Sequence, residues 1–396
     1  MESRELPLQP NPDHYKKQAK AILKAVRSQD PNAVEQFRRW HPRGAARAEP
    51  KLADAQLILA RQHGFESWPR FAKHVEELGR ANSPFAEFER AVDAVVRGDA
   101  ATLRQLLRAT PELVDARSPR RHRATLLHYV SANGVEDYRQ KTPANAVEIA
   151  GMLLDAGAEV DAVADAYGKG TALGLTATSS HPLRAGVLIP LLDLLIARGA
   201  SVDGAPGGWS IVNACLANGR KLGAEYLANR GARLDLEGAA GVGRLDVTRS
   251  FFDDDGSLRN GATRTQMESG FIWACEYGRA ETADFLLNIG VDSNTCRQHR
   301  LTGLHWAAGG GEVETLKVVL RHKLPLEAQN VWGGTPLASA IWAATESDPA
   351  DPLWPKGDWY TSIELLLGAG ANVNSVRYPT GDPRIDALLH RYGAGR

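Results

Sequence analysis

Residues 301–311, LTGLHWAAGGG, decide how this sequence is interpreted. A histidine, a tryptophan and three consecutive glycines could supply a base, a stacking surface and a phosphate-binding loop. The same residues also suit a short structural helix. Leu304, Ala307 and Ala308 would lie on one face, and the alanines would let a neighbouring helix approach closely. Gly311 would end the helix in the left-handed conformation that glycine adopts readily. The choice between a site and a structural unit depends on whether the stretch recurs.

The stretch recurs along the chain. Similar segments occupy residues 125–134, 210–219, 269–278 and 335–344. Each is followed by a second apolar stripe that ends near a glycine. Ser269, Thr302 and Thr335, which begin three successive copies, are 33 residues apart. A helix pair of this length cannot bury its apolar face alone, so we expect each pair to stack on the next.

With this period, and with the pattern T-x-L-H-x-A-A-x-x-G at Thr302–Gly311, the chain resembles bacterial ankyrin-repeat proteins. The resemblance covers about residues 84–396 and includes the G-A-x-V-N ending at 370–374. It implies an all-α fold, an ankyrin-repeat solenoid in which helix–turn–helix units are joined by β-turn fingers. We count eight units, which begin near Glu89, Thr125, Thr171, Ser210, Leu234, Ser269, Thr302 and Thr335.

The two ends of the chain differ from the repeats. Residues 1–82 contain apolar residues at helical spacing after candidate caps at Asp13 and Ser67. We interpret them as an N-terminal helical segment or cap, of a kind that precedes the repeats in similar proteins. We assign residues 83–380 to the repeat array and residues 381–396 to a C-terminal capping helix with polar flanks.

Three units expand the turn between their two helices, at residues 135–145, 181–187 and 345–360. The insertions occupy the same slot of the repeat, so we expect them to emerge on one side of the stack. The last contains Trp354, Trp359 and three prolines, an unusual aromatic content for a surface loop. A lid over the last helices and a contact with a ligand or partner both fit this composition.

Aromatic side chains mark the candidate binding surface. From the resemblance, the residue after the signature histidine faces the concave surface of the stack. That slot holds Tyr129, Trp273 and Trp306. Gly309 and Gly310 would leave room beside the rings, which indicates a recess. Tryptophan and tyrosine are enriched at binding hot spots, although half-buried packing also fits these positions. We add four finger residues to the candidate site: Arg123, Trp209, Arg300 and Trp332.

No pattern indicates a catalytic residue, a cofactor or a metal. From the resemblance, His128 and His305 hydrogen-bond the neighbouring turn and the adjacent threonine, so we assign them a structural role. His299 and His305 lack a suitably spaced third metal ligand. Phosphate-binding glycines precede a helix, whereas Gly309–Gly311 follow one. We therefore expect no metal site and no phosphate loop here.

Composition and charge exclude several partners. Forty-seven basic and 47 acidic side chains give a formal net charge of zero, so no global field attracts nucleic acid or an anionic membrane. No segment approaches the roughly 18 apolar residues of a membrane span, and the start lacks a signal-peptide layout. Cys215, Cys275 and Cys296 are odd in number and far apart. We expect reduced, buried thiols in a cytoplasmic protein.

Two function hypotheses follow. The leading one is a non-catalytic interaction module that binds an unidentified protein or peptide through its concave face and expanded turns. The alternative is an enzyme or small-molecule binder with a pocket lined by the inner-helix aromatics and the 345–360 insertion. Its candidate polar groups are Arg139, Glu276, Tyr277, His305 and Asp358. An effector delivered into a host cell is a third interpretation compatible with the sequence.

Overall fold

The computed structural model describes residues 4–7, 10–42, 49–80, 83–259, 261–348, 350–354 and 356–395. These residues form two compact units, Met1–Trp209 and Ser210–Arg396, called unit 1 and unit 2 below. Both are built from short helices, and each contains one pair of two-residue antiparallel strands. None of the described helices is long and apolar enough to cross a membrane.

Unit 1 begins with helices that form their own small cores. These are α1 (Pro12–Arg27), α2 (Pro31–Trp40), α3 (Leu52–Gln62) and α4 (Trp68–Leu78). Tyr15, Leu59 and Phe71 pack together in one of these cores. Asn11, rather than Asp13, caps α1: its side chain accepts the Asp13 amide at 2.9 Å. The prediction of an Asp13 cap is wrong because the proline after Asn11 suits the first helical position.

Helix pairs follow in unit 1. The helices are α5 (Pro84–Arg97), α6 (Ala100–Ala109), α7 (Leu126–Val130), α8 (Ala146–Asp155), α9 (Ala172–Thr178), α10 (His181–Arg184) and α11 (Leu188–Ala197). The first helices α5, α7 and α9 pack side by side, and the second helices α6, α8 and α11 form the next layer. Strands β1 (Val163–Ala164) and β2 (Gly170–Thr171) build the finger before α9. The 135–145 insertion connects α7 to α8, and the 181–187 insertion contains α10.

Unit 2 repeats the same arrangement. Its elements are α12 (Ile211–Ala217), α13 (Lys221–Asn229), α14 (Leu236–Val242), α15 (Leu245–Arg249), α16 (Arg264–Glu276), α17 (Ala280–Ile289), β3 (Cys296–Arg297), β4 (Leu301–Thr302), α18 (Gly303–Gly310), α19 (Val313–Arg321), α20 (Pro336–Glu346), α21 (Trp359–Gly368) and α22 (Pro383–Arg391). Helices α12, α14, α16, α18 and α20 pack side by side, and we call them the inner layer. Helices α15, α17, α19 and α21 form the outer layer.

The core of unit 2 lies between these two layers. Phe271, Leu304 and Leu337 come from successive inner helices and are fully buried in one cluster. Burying each such side chain contributes roughly 1.5–3 kcal/mol. Helix α22 packs on α21 and buries Ile385 and Leu389 in the same cluster. Repetition of one buried face along the chain is what stacks the helix pairs.

The cysteines differ in exposure. Cys215 and Cys275 are buried, and burial raises the pKa of the Cys215 thiol to about 12. Cys296, at the start of β3, is exposed. The prediction that all three are buried is therefore wrong for Cys296, which lies on a finger outside the helix layers.

Candidate functional site

Trp332 is exposed on the finger between α19 and α20, with 69% of its surface accessible. The side-chain oxygen of Asn330 accepts the amides of Trp332 and Gly334, both at 2.9 Å. The Val331 amide donates to the carbonyl of His299 in the preceding finger at 2.9 Å. The His299 ring lies against Trp332 with the centroids 4.7 Å apart. Hydrogen bonds within and between the two fingers thus fix the backbone that carries the exposed ring of Trp332.

Trp342 extends this aromatic surface onto the inner layer. It lies on α20 and is 57% exposed. The half-buried Trp354, from the expanded turn, contacts it with ring centroids 5.7 Å apart. The sequence indicated Trp354 as a candidate but not Trp342. The available signal was its position seven residues after Thr335, which matches that of Gly309 after Thr302.

Trp273 lies beneath an arginine. Its ring is only 4% exposed, and the guanidinium carbon of Arg297 on β3 lies 4.6 Å from the ring centroid. This is within cation–π distance. Over the described ranges, no carboxylate lies within ion-pair distance of Arg297, and its Nη1 is buried without a hydrogen-bond partner. The prediction that Trp273 is open to a partner is wrong, because Arg297 covers its ring.

Two carboxyl groups of the inner layer lie near Arg297 without forming an ion pair with it. Burial raises the pKa of Glu276, at the end of α16, to about 7. Burial and the charge of Asp235 raise the pKa of Glu237 on α14. The positive charge of Arg297 opposes the rise in both groups. Near neutral pH, Glu276 therefore divides its population between charged and uncharged forms.

Trp306 occupies the slot of Trp273 one repeat later. Its side chain is half-buried and packs on the core of unit 2. Its indole Nε1 is buried and has no hydrogen-bond partner among the described residues. The structure therefore places Trp306 at the edge of the core, with part of its ring exposed on α18.

The expected recess at Gly309 and Gly310 is closed at the end of α18. The indole Nε1 of Trp359 donates to the carbonyl of Gly309 at 2.8 Å. A Cβ atom at Gly311 would lie 2.6 Å from the Cα of Gly357. The prediction of an open recess is wrong here because the backbone of the 345–360 insertion lies against the helix end. Trp359 serves this contact and is partly buried.

Tyr129 is fully buried in unit 1. Its ring meets Phe88 and His122 edge-on, with centroids 6.4 and 5.9 Å away. Its hydroxyl donates to the carboxylate of Glu136 at 3.4 Å. The prediction that Tyr129 faces the concave surface is wrong, because Glu136 belongs to the 135–145 insertion and this turn covers the tyrosine.

The 135–145 turn is held by a buried ion cluster that was not predicted from the sequence. Arg120 lies 2.5 Å from the Glu89 carboxylate and 2.6 Å from that of Glu136. Arg139 bridges the same pair, 2.6 Å from Glu89 and 3.5 Å from Glu136. Burial alone would raise the pKa of Glu89, but the two arginines outweigh it and hold the pKa at about 2. Both glutamates are therefore ionised and paired.

The remaining predicted finger residues are exposed. Trp209 is 77% accessible at the end of unit 1. Arg123 in unit 1 and Arg300 in unit 2 are exposed and have φ angles of 54° and 60°. Non-glycine residues seldom adopt this left-handed conformation, which costs of order 1–3 kcal/mol and occurs often at functional sites. These finger tips hold basic side chains on strained backbone.

The polar groups proposed for a small-molecule pocket are mostly engaged in structural bonds. His305 and Asp358 bond the first turns of α18 and α21. The Tyr277 hydroxyl donates to a carbonyl of α12, and Arg139 belongs to the ion cluster of unit 1. Glu276 pairs with no cation among the described residues, and burial raises its pKa although a hydrogen bond with Tyr277 opposes the rise. Within the described ranges, no three His, Cys, Asp or Glu side chains are grouped as metal ligands.

Comparison with known proteins identifies the repeats. Residues 271–377 match the family model for ankyrin repeats, in three copies. The crystal structure of the human ASB11 ankyrin repeat domain is similar at 18% identity and a TM-score of 0.36, covering 74% of this chain and 99% of that chain. No curated protein matches the chain. The family match confirms the predicted fold class, an all-α ankyrin-repeat solenoid. The matched range contains Trp273, Arg297, Trp332 and Trp342.

Proposed function

We propose that this protein is a non-catalytic interaction module that binds a protein or peptide through the inner layer, fingers and expanded turn of residues 271–377. The observation that carries the proposal is the exposure of Trp332 and Trp342, at 69% and 57%, in the same pair of repeats. Tryptophan is the residue type most typical of binding hot spots.

The setting of these rings supports the proposal. Stacked helix pairs provide extended surfaces on which repeat proteins bind partners. Trp332 is held by the Asn330 side chain and by the neighbouring finger, and Trp342 is flanked by Trp354. Side chains that are already ordered lose little conformational entropy on binding, which favours affinity. A single exposed tryptophan needs no explanation, but two in adjacent elements mark an apolar surface.

The bonding of His128 and His305 supports a structural role for these two histidines. Both ring nitrogens of His128 and of His305 are engaged with main-chain or threonine groups. A general base needs a free nitrogen within reach of its substrate. The proposal places the module in the cytoplasm, where the exposed Cys296 would stay reduced.

Site-specific photo-crosslinking tests the proposal. A photoreactive phenylalanine analogue replaces Trp342 or Trp332, and for control it replaces Leu222, which is 44% exposed on α13. In lysate of the source cells, we expect one partner to crosslink at both tryptophan positions and not at Leu222. In parallel, a Trp332→Ala/Trp342→Ala variant should recover the same partner at least about tenfold less well, as for loss of hot-spot residues.

The controls decide the outcome. Leu222→Ala should recover the partner as well as wild type does. Only variants whose melting temperature equals that of wild type are compared, so that unfolding cannot account for a loss of binding. Equal recovery by wild type and the double tryptophan variant would contradict the proposed surface.

A further inference from the structure

We propose that Arg297, supported by the ring of Trp273, binds an acidic side chain of the partner protein. The inference rests on the proposed function and assigns a specificity to it. It is carried by the geometry of Arg297 and by a second arginine at the same position of another repeat.

Arg120 and Arg297 occupy equivalent positions, each five residues before the threonine that begins a repeat, Thr125 and Thr302. Both guanidinium groups lie over an aromatic ring. Arg120 lies 5.5 Å from the ring centroid of Phe65, and Arg297 lies 4.6 Å from that of Trp273. Both fingers therefore hold an arginine over an aromatic ring, which Phe65 of the N-terminal segment supplies in one case and Trp273 of α16 in the other.

The two arginines differ in their acidic partners. Arg120 contacts the carboxylates of Glu89 and Glu136 at 2.5 and 2.6 Å. Glu136 comes from the expanded 135–145 turn, which covers Arg120. Over the described residues, Arg297 has no carboxylate within ion-pair distance, and its Nη1 is buried without a hydrogen-bond partner. The arginine in this slot of unit 1 thus has two carboxylate partners, and the corresponding position at Arg297 is unfilled among the described residues.

The chemistry of the guanidinium selects the partner group. Its planar donors match the two oxygens of a carboxylate, and stacking on Trp273 holds the plane in one orientation. A half-buried cation with an unpartnered nitrogen has lost water that a charge-assisted hydrogen bond would replace. The exposed Arg300, on the same finger, adds positive charge at the approach to this position. We therefore expect a partner segment in which an aspartate or glutamate stands beside an apolar residue. The carboxylate would pair with Arg297, and the apolar residue would contact Trp332 and Trp342.

Glu276, together with Glu237, whose pKa burial also raises, determines how binding responds to pH. When ionised it repels an incoming carboxylate, and when protonated it does not. The groups that influence its titration are Arg297 on β3 and the adjacent Tyr277. Because its pKa is raised to about 7, a carboxylate bound near it favours proton uptake by Glu276. Affinity for an acidic peptide should therefore increase as pH falls from about 8 to about 6.

A random dodecapeptide library displayed on phage is the probe, selected against the full-length protein. Binders are kept if they lose affinity for Trp342→Ala, which confines them to the inner layer. We expect Asp and Glu to be enriched in these binders. Selection on Arg297→Gln should lose that enrichment. Selection on Arg321→Gln, a control on the outer helix α19 where Arg321 is exposed, should retain it.

A double-mutant cycle then tests the pairing directly. In the tightest acidic peptide, changing the enriched Asp to Asn should weaken binding to wild type about tenfold or more, as for a hydrogen bond to a charged group. The same change in the peptide should not alter its affinity for the Arg297→Gln variant. Arg297→Lys keeps the charge without the planar fork, so it should give an intermediate loss. Glu276→Gln should reduce the dependence on pH, and the part that remains belongs to Glu237, whose pKa is also raised.

The outcomes separate the two proposals. Binders without acidic enrichment, or an equal Asp-to-Asn loss on wild type and on Arg297→Gln, would overturn the carboxylate site and leave the proposed function standing. If no binder depends on Trp342, the proposed function and this inference both fail. If the melting temperature of Arg297→Gln is far below that of wild type, Arg297→Lys replaces it in the cycle. If the Asp-to-Asn change then weakens binding to Arg297→Lys as much as binding to wild type, the planar pairing is overturned.

Discussion

His128 and His305 make the same pair of bonds in two different repeats. Nδ1 of each accepts a main-chain amide, from Thr125 at 3.1 Å and from Thr302 at 3.2 Å. Nε2 of each reaches a carbonyl of the following finger, at 3.0 and 3.1 Å. Since Nδ1 accepts and Nε2 donates, each ring is neutral, and burial lowers the pKa of His128 to about 4. The histidine thus joins a helix start to the next finger.

Replacing His305 with leucine keeps most of its volume but removes both bonds. The buried Thr302 amide would then lose the bond to Nδ1, and the Gly334 carbonyl would keep only the Asn330 amide, which should lower the free energy of unfolding by about 1–3 kcal/mol. Urea unfolding near neutral pH measures the change. His299→Asn is the matched control, because His299 is exposed and asparagine tolerates its left-handed backbone. A loss in the control as large as in His305→Leu would contradict the assigned role.

For individual residues, the sequence predicted the contacts between side chains that lie within one helical turn of each other. Thr302 and His305 are three residues apart, so their bond could be inferred from spacing and resemblance. The exposure of Tyr129 and Trp273 could not be inferred, because each is covered by a residue from another segment. Tyr129 is covered by Glu136, which lies in an expanded turn that is not part of the repeat pattern. Trp273 is covered by Arg297, which lies on the next finger.

The glycines at the end of α18 form a contact surface between two elements. The Asp358 amide donates to the Gly311 carbonyl at 3.1 Å, and the Trp359 indole donates to the Gly309 carbonyl at 2.8 Å. Gly357 lies directly against Gly311, so that neither position has space for a side chain. The expanded turn therefore docks on helix α18 through main-chain contacts before α21 begins.

Gly357→Ala tests this docking. Its Cβ would fall 2.6 Å from the Cα of Gly311, so the turn has to move away from α18. Such overpacking typically costs about 1–3 kcal/mol of unfolding free energy. The control is Gly368→Ala in α21, where a Cβ meets only the Tyr392 hydroxyl at 3.8 Å. Alanine favours helix, so the control should be neutral or slightly stabilising. Denaturant unfolding compares the two, and equal stability of both variants would argue against docking.

The sequence predicted where this insertion lies but not what it touches. Its slot follows from the 33-residue period, and its composition fitted a lid as well as a binding loop. The structure assigns different roles to its two tryptophans. Trp359 bonds the end of α18, whereas Trp354 lies beside the exposed Trp342. Composition cannot separate these roles, because both depend on the path of the backbone across a neighbouring helix.

Over the whole molecule, the repeat pattern is strongest where the signature residues are retained. The three copies matched to the family lie at 271–377, which includes Thr302, His305 and Thr335. The units that begin near Glu89 and Leu234 lack the threonine and the histidine, and their helix pairs could be predicted only from apolar spacing. The equal numbers of acidic and basic residues predicted no global field, but they gave no indication of local clusters such as that around Arg120.

The buried ionisable groups divide unequally between the two units. Burial lowers the pKa of His63, His74 and His128 in unit 1 to about 4. A folded pKa below the unfolded value of about 6.5 gives stability above that pH, which is lost as pH falls toward 4. Unit 2 has His305, lowered by burial, and Glu276, raised to about 7. The contribution of Glu276 to the free energy of unfolding depends on pH in the opposite sense. It is fully present below about pH 4.5 and is lost as the pH rises through about 7.

Acidification from about pH 7.5 to about pH 5 should therefore loosen unit 1 more than unit 2, by roughly 2 kcal/mol for each buried histidine. Hydrogen exchange followed by mass spectrometry, corrected for intrinsic rates, measures protection in each unit separately. His74→Leu should reduce the acid loss in unit 1, because both ring nitrogens of His74 are buried without hydrogen-bond partners in the described residues. The exposed His14→Leu is its control and should change nothing. An equal loss of protection in both units would show that histidine burial does not govern the acid response.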